Sequence, residues 1–281
     1  MSSMIHRGLK IFFRDKGGIF FSLLGVLIIF ALFIFFIGDS IIEGLDWLPD
    51  AKVIMNGWVI AGMLASASIT TSMGAYALMV TDKEQKLQKD FLTSPISRGS
   101  ITGGYLVTGF IVSVIMSVIV FVIGEIYIVA NGGKLLDFMH ILKIFGTILL
   151  SSFASSAMVC FLISFVRTIN AYTTLSIILG TLIGFLIGAY IPIGQLPDAV
   201  QNVVRVFPCT HAAALFRQIM MDSATQSLAA ELKTPFFREI GTELAFGDTA
   251  VTPLVSILVL VGTGLVFYCL ALWNMSRKSK R

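Results

Sequence analysis

The sequence predicts an all-α, polytopic membrane protein with six transmembrane helices. Of its 281 residues, 56% are hydrophobic and 13% are charged, and its mean hydropathy is +0.91. Soluble domains carry about 25% charged residues, and several apolar runs here approach the roughly 20 residues that a helix needs to cross a bilayer. The net charge of +4 is typical of basic residues that flank membrane spans, so no nucleic-acid partner is expected.

The apolar runs form a single transmembrane domain, residues 1–281. The third and fourth runs are longer than a bilayer requires and are expected to tilt or to extend beyond it. The first run is too long for the apolar core of a cleavable signal peptide. The predicted spans are roughly 18–38, 56–80, 101–130, 138–166, 171–191 and 251–274.

The distribution of Lys and Arg predicts that both termini lie in the cytoplasm. These residues concentrate before the first span, between the second and third spans, and after the sixth span. The first loop on the other side, residues 38–52, is acidic and contains a single lysine. Loops rich in Lys and Arg stay on the cytoplasmic side, which fixes the orientation of every span.

The N-terminal segment, residues 1–17, predicts a basic amphipathic helix that lies in the membrane interface and leads into the first span. On a helical wheel its apolar and basic side chains fall on opposite sides. The apolar side carries Ile5, Leu9, Phe12 and Phe13, and the basic side carries His6, Arg7, Lys10 and Arg14.

The second and fifth spans are rich in small residues. In the second span this composition predicts a tightly packed interior helix. In the fifth span, Gly180, Gly184 and Gly188 recur every four residues and therefore share one helix face. Such faces allow two helix backbones to approach closely. The partner helix is either another span of the same chain or the same region of a second subunit.

Residues 192–250 form a long outer segment with two predicted short helices. Between Leu196 and Phe207 the apolar and polar side chains separate on a wheel, and Pro208 ends this first helix. The second, from Thr210 to Met221, is too short to span and contains Arg217. Both helices are expected to dip into or lie on the outer leaflet. The apolar side of the first carries Leu196, Val200, Val203 and Phe207.

No catalytic, cofactor-binding or metal-binding motif is recognisable in the sequence. The phosphate-binding, zinc-protease and serine-hydrolase motifs do not occur, and the three cysteines are far apart. Glu125 and Lys143 lie near the outer ends of the third and fourth spans, where they either pair or reach separately to the interface. An ion-coupled carrier usually has acidic residues near the midplane, and none is seen here.

A compact charged stretch, residues 82–97, interrupts the apolar sequence between the second and third spans. As a helix, it places Leu87 and Phe91 together, flanked by Lys83 and Glu84, while Asp82 and the other polar residues point away. The stretch is either a docking helix for a soluble partner or a solvated connector. The other cytoplasmic loop is too short to bind a partner.

Taken in order, three motifs resemble the permease subunits of ATP-binding-cassette exporters of the second type. They read "HRGLKIFFRDK", "DKEQKLQKDFLTSPISRGS" and "QLPDAVQNVVRVFPCTHAAALFRQIM". The resemblance covers nearly the whole chain. Family members often have Arg-Glu-x-Gly-(Thr/Ser) before the Leu of the charged helix; here Glu84 corresponds to the Glu and the Gly is missing.

The resemblance implies that residues 82–97 form a coupling helix seated in a separate ATPase subunit. The expected coupling residues are Lys83, Glu84, Leu87 and Phe91. It also implies a dimer with a second permease, identical or paralogous, whose central seam includes the first and fifth spans. This chain would bind no cofactor, while ATP and Mg²⁺ would bind to the ATPase.

The expected function is export of an amphipathic or lipophilic cargo, such as a drug, antibiotic, peptide or lipid-like molecule. The chain is expected in the plasma membrane of a bacterium, in contact with membrane lipid. Two alternatives remain at this point: a stand-alone secondary transporter or channel, and an intramembrane enzyme or structural membrane protein.

Overall fold

The computed structural model of the protein describes residues 1–45, 47–48, 50–87, 98–226, 228–247 and 249–278. Within these ranges the chain is mostly helical, with connecting loops and one β-hairpin whose two strands have two residues each. The elements are α1 (Ser2–Arg14), α2 (Lys16–Leu32), a π-helical turn (Phe33–Ile37), α3 (Gly38–Glu43), α4 (Ala51–Glu84), α5 (Arg98–Ala130), α6 (Phe138–Ser164), α7 (Ile169–Leu186), a 3₁₀ turn (Ile193–Gln195), α8 (Asp198–Val204), α9 (Pro208–Met220), a 3₁₀ turn (Ser223–Thr225), α10 (Ala230–Glu239), β1 (Ala245–Phe246), β2 (Thr249–Ala250) and α11 (Pro253–Lys278).

Six of the described helices are long and apolar enough to cross a membrane, which confirms the predicted all-α polytopic fold. They are the α2 region and helices α4, α5, α6, α7 and α11. We call the end of the bundle that carries α1 and residues 82–87 the basic end. We call the opposite end, which carries residues 193–250, the distal end.

Helix α4 extends beyond the predicted 56–80 in both directions. It begins after Asp50, whose left-handed φ of 56° starts the chain in a new direction, and it continues to Glu84. The added residues include neither Gly nor Pro, so nothing in the local sequence stops the helix. The first residues of the predicted coupling helix therefore belong to the second span.

Helix α4 is the centre of the bundle, as its small residues predicted. Of its most apolar window, 89% is buried inside the chain, against 22% for α2 and 11% for α7. It packs most extensively on α2, α5, α6 and α9, and it also contacts α7. Hydroxyl groups join the helices of this centre. Ser113 Oγ lies within hydrogen-bond distance of Ser68 O, at 2.9 Å, and of Ser152 Oγ, at 3.0 Å, and the Tyr76 and Ser156 hydroxyls bond at 2.7 Å. Such bonds hold membrane helices together where the hydrophobic effect between them is weak.

Helix α1 forms as predicted, but the side that packs on the bundle differs from the predicted apolar side. Met4, Gly8 and Phe12 are buried against α5 and its neighbours, while Ile5 and Leu9 are half-buried. A Cβ built at Gly8 would lie 2.7 Å from the Thr108 side chain. The missing side chain of Gly8 lets α1 approach α5 closely, which a count of apolar residues does not detect.

The first helix of the distal end, α8, is shorter than the predicted Leu196–Phe207 because Pro197 precedes it and Pro208 begins α9. Its inward side carries Gln201 and Val204, and the Gln201 amide donates to Gly194 O and Leu196 O at 3.2 and 2.8 Å. Of the predicted apolar side, Leu196 is half-buried, and three residues are exposed on the surface of the chain: Val200, Val203 and Phe207.

Candidate functional site

At the basic end, Asp82 joins α1 to α4 and α5. Its carboxylate accepts two hydrogen bonds from the Arg7 guanidinium, at 2.7 and 2.8 Å, and one from the Tyr105 hydroxyl at 2.5 Å. Only 1% of Asp82 is exposed, and a buried carboxylate is tolerated when a cation and donors satisfy it. The hydrogen bonds that Arg7 donates to Asp82 raise the pKa of the Arg7 guanidinium above its usual value.

The helical wheel placed Asp82 away from Leu87 and Phe91 but did not show what its side chain contacts. The wheel assumed a separate coupling helix that starts at residue 82. In the structure Asp82 lies in the last turn of α4, where its side chain faces α1 and α5.

The next two residues contact the turn between α6 and α7. Lys83 Nζ donates to the backbone oxygens of Ile163, Ser164 and Val166 at 3.3–3.4 Å. Glu84 Oε1 accepts a hydrogen bond from the Ile169 N–H at 3.3 Å. Both expected coupling residues therefore contact backbone groups of this chain.

Residues 85 and 86 form a turn after α4, and Leu87 is helical again. Lys86 has a left-handed φ of 60°, which separates α4 from the residues that follow. Leu87 is half-buried. Phe91 belongs to 88–97, which lie outside the described residues, so the predicted pairing of Leu87 with Phe91 remains a prediction.

A groove of about 740 Å³ runs between α1, α2, α4 and α7. It extends from Asp15 and Thr81 at the basic end to Gly180 and Tyr190 towards the distal end. Its wall is apolar with hydroxyl groups, and Asp15 is the only ionisable carboxylate among its described lining residues. Several hydroxyls, such as those of Thr70 and Thr181, donate to their own helix backbone, which leaves their oxygen lone pairs available.

The three glycines of the fifth span do not form one packed face in the structure. A Cβ built at Gly180 has no neighbour within 4 Å among the described residues, whereas at Gly184 it would overlap the Tyr190 ring. Gly188 lies beyond the end of α7, with a φ of +65° and an N–H that donates to Phe185 O. The wheel failed here because α7 ends at Leu186, short of the predicted residue 191, in a turn that favours glycine.

At the distal end, Arg217 is fully buried in the last turn of α9. Its guanidinium lies 4.5 Å from the centroid of the Trp58 ring and donates to Ile187 O at 2.8 Å and to Gly241 O at 3.3 Å. Thr210 of α9 donates to Leu186 O at 2.7 Å. Residues of α9 thus hold the distal end of α7. Arg217 is buried inside the chain, whereas its short helix was expected to lie on or dip into the outer leaflet.

The suggested pair of Glu125 and Lys143 is not formed. Glu125 is buried and accepts a hydrogen bond from the Leu136 N–H at 3.2 Å, and its other oxygen has no partner among the described residues. Lys143 is exposed. The loop after α5 brings the backbone of Leu136, rather than the lysine, to the carboxylate.

Sequence reasoning missed two of these contacts, the Arg7–Asp82–Tyr105 cluster and the Arg217–Trp58 stack. The sequence did indicate that these charged residues need partners, because Asp82 and Arg217 lie beside or within apolar segments, where an isolated charge is costly. The wheel could not supply the partners, because they lie on helices distant in sequence.

Comparison with known proteins identifies a family and a relative. Residues 49–273 match the sequence profile of the ABC-2 family transporter proteins. The chain is also similar to nodulation protein J of Bradyrhizobium diazoefficiens, with 25% identity over 206 residues that cover 71% of this chain and 74% of the relative. The profile match extends from the start of α4 into α11 and so includes most of the contacts described above.

Proposed function

The chain belongs to the ABC-2 family of transporter proteins and is a multi-pass membrane subunit of that family, and from this premise we propose that it is the permease of an ATP-driven exporter. The ATPase is a separate chain, consistent with the general use of an ATP-binding subunit in this family. Both termini and the basic end lie in the cytoplasm, and the membrane is the plasma membrane of a bacterium.

The groove between α2, α4 and α7 is the observation that carries this proposal. It starts at Asp15 and Thr81, close in sequence to the segment on which an ATPase would act, and follows the bundle towards the distal end. Its walls combine apolar side chains with hydroxyls and glycines. Such a surface favours an amphipathic or lipophilic cargo, since a charged group would have to leave water without a partner.

The permease works as a dimer in this proposal. Two helices that border the groove are little buried by the chain itself: α7, the least buried span, and α2, which is buried as little as α11. Large apolar side chains such as Phe21 and Ile177 are exposed beside the groove. A second permease, identical or paralogous, would cover these faces together with lipid and would close the groove into a path.

Residues 85–97 dock on the ATPase, with Leu87 and Phe91 as the apolar contacts. Burying each side chain contributes roughly 1.5–3 kcal/mol. Charged contacts at an exposed rim contribute under about 1 kcal/mol each. The apolar pair therefore dominates docking.

Purification in mild detergent tests this function. We expect a soluble ATPase to copurify, and cysteines at positions 87 and 91 to cross-link to it. Phe91→Ala should release the ATPase or uncouple hydrolysis from transport, whereas the control Lys86→Ala, at an exposed position, should do little. A chain that purifies without an ATPase and transports under an imposed ion gradient alone would instead be a secondary transporter.

A further inference from the structure

Two adjacent charged residues at the end of α4 contact opposite sides of one turn. Lys83 donates to carbonyl oxygens of Ile163, Ser164 and Val166, where α6 ends. Glu84 accepts from the N–H of Ile169, the first residue of α7. The end of the central helix therefore contacts the last turn of one span and the first residue of the next.

The charges match the ends that they contact. The carboxyl end of a helix carries partial negative charge and the amino end partial positive charge, because their backbone carbonyl and N–H groups lack partners within the helix. A lysine at the end of α6 and a glutamate at the start of α7 are both favourable, and exchanging the two would be unfavourable at both ends. The order of the two charges thus fixes how α4 meets the turn.

Helix α7 depends on contacts near its ends. Near its start, in addition to Glu84, the Tyr172 hydroxyl donates to Met73 O of α4 at 2.9 Å. At the distal end, Arg217 and Thr210 hold its last carbonyls. Between these points α7 lies beside the groove, and only 11% of its most apolar window is buried. A displacement of its start therefore changes the width of the groove.

We propose that Lys83 and Glu84 are positioning residues that transmit movement of the segment after α4 to the α6–α7 turn, and so open or close the groove beside α7. The segment 85–97 follows Glu84 directly, so a partner that pulls on it also pulls on the residues that hold the turn. This inference rests on the proposed function for the source of the movement, but the contact that it uses is within the chain.

The first test needs no ATPase. Spin labels at Thr174 in α7 and Leu149 in α6, both exposed, report their separation in the full-length chain in lipid nanodiscs. Cys269, an exposed cysteine, is replaced by serine. We expect a broader distance distribution in Lys83→Met/Glu84→Gln than in the parent chain, and no broadening in the control Arg167→Met, which removes an exposed cation from the same turn. An unchanged distribution in the double variant would overturn the inference.

The second test uses the complex with the copurified ATPase. In the parent complex, ATP should shift the distance between the two labels. The double variant should still bind the ATPase and hydrolyse ATP but lose the shift, and Lys83→Arg/Glu84→Asp should restore it in part. An equal shift in the double variant contradicts the inference. If no ATPase copurifies with the parent chain, the proposed function is contradicted instead, and the first test decides the positioning role.

Discussion

Helices α4 and α7 are almost equally apolar and yet are packed in opposite ways. The mean hydropathy of their most apolar windows is 1.5 and 1.6, but 89% of the first and 11% of the second is buried. Hydropathy measures how well a helix dissolves in lipid, whereas contact between helices in a membrane depends on small residues and hydroxyl groups that fit together. Helix α4 bonds its neighbours along its length, and α7 is held near its ends.

This difference separates a fixed part of the molecule from a part that can move. A helix enclosed by its neighbours, as α4 is, cannot shift without disrupting many contacts. A helix bonded near both ends and bordered by a groove can tilt while those bonds persist. In the proposed exporter, α4 stays fixed, and α7, which lines the groove, moves.

The largest expected effect compares one aromatic residue from each helix. Trp58 in α4 is fully buried and stacks on Arg217, while Phe185 in α7 is 43% exposed. Trp58→Ala should lower the free energy of unfolding by about 3–5 kcal/mol, and Phe185→Ala by less than about 1 kcal/mol. Unfolding of the chain in mixed micelles measures both. Equal losses would remove the distinction between the two helices.

A smaller loss is expected at the cluster that joins α1 to α4. Asp82→Ala leaves Arg7 and Tyr105 without their acceptor and should cost roughly 2–3 kcal/mol. Arg7 is part-exposed and can turn towards the headgroups, which limits the loss. Asp82→Asn, which keeps an acceptor, is the matched control and should cost less. If neither variant changes the unfolding midpoint, the cluster does not hold α1.

Hydroxyl contacts give a still smaller difference. Ser113→Ala removes bonds from α5 to both α4 and α6 and should cost about 0.6 kcal/mol, the average for such bonds in a membrane. Thr174 in α7 donates to Asn170 of its own helix, so Thr174→Ala should cost nothing measurable. Comparable losses from both substitutions would mean that hydroxyl bonding does not distinguish the two helices.

The smallest effect on stability is expected at Gly180. A leucine there enters open space in the groove, so Gly180→Leu should leave the unfolding midpoint unchanged but reduce transport by the complex. At Gly109 a side chain would meet the Tyr76 ring at 2.5 Å, so Gly109→Leu should destabilise the chain. A Gly180→Leu variant that is stable and transports normally would show that the groove is not the path.

The sequence predicted the six long apolar helices because apolar runs are a local property. The glycine spacing in the fifth span failed for a local reason too, since the turn at Gly188 ends α7 before the third glycine joins the face. Gly184 faces Tyr190 of its own segment, so Gly184→Leu would disturb the chain itself and does not isolate a subunit interface.

The roles of Asp82, Lys83 and Glu84 could not be predicted from their own segment. Their partners are Arg7 and Tyr105 on one side and the α6–α7 turn on the other, and a wheel places side chains around an axis without showing what lies opposite. Arg217 shows the same limit. Its burial became evident only when α9 was seen between Trp58 and the last carbonyls of α7.

The most direct test of the account compares thiol labelling at one position in the groove and one in the packed centre. Gly180→Cys adds a thiol beside α7, and the native Cys160, which is fully buried in α6, is the internal control. With Cys269 replaced by serine and the ATPase bound, peptide mass spectrometry follows labelling by a small maleimide. We expect position 180 to be labelled at a rate that changes when ATP is added, while Cys160 stays unlabelled. A rate at position 180 that does not respond to ATP, or that equals the rate at Cys160, would contradict a moving α7 beside a fixed α4.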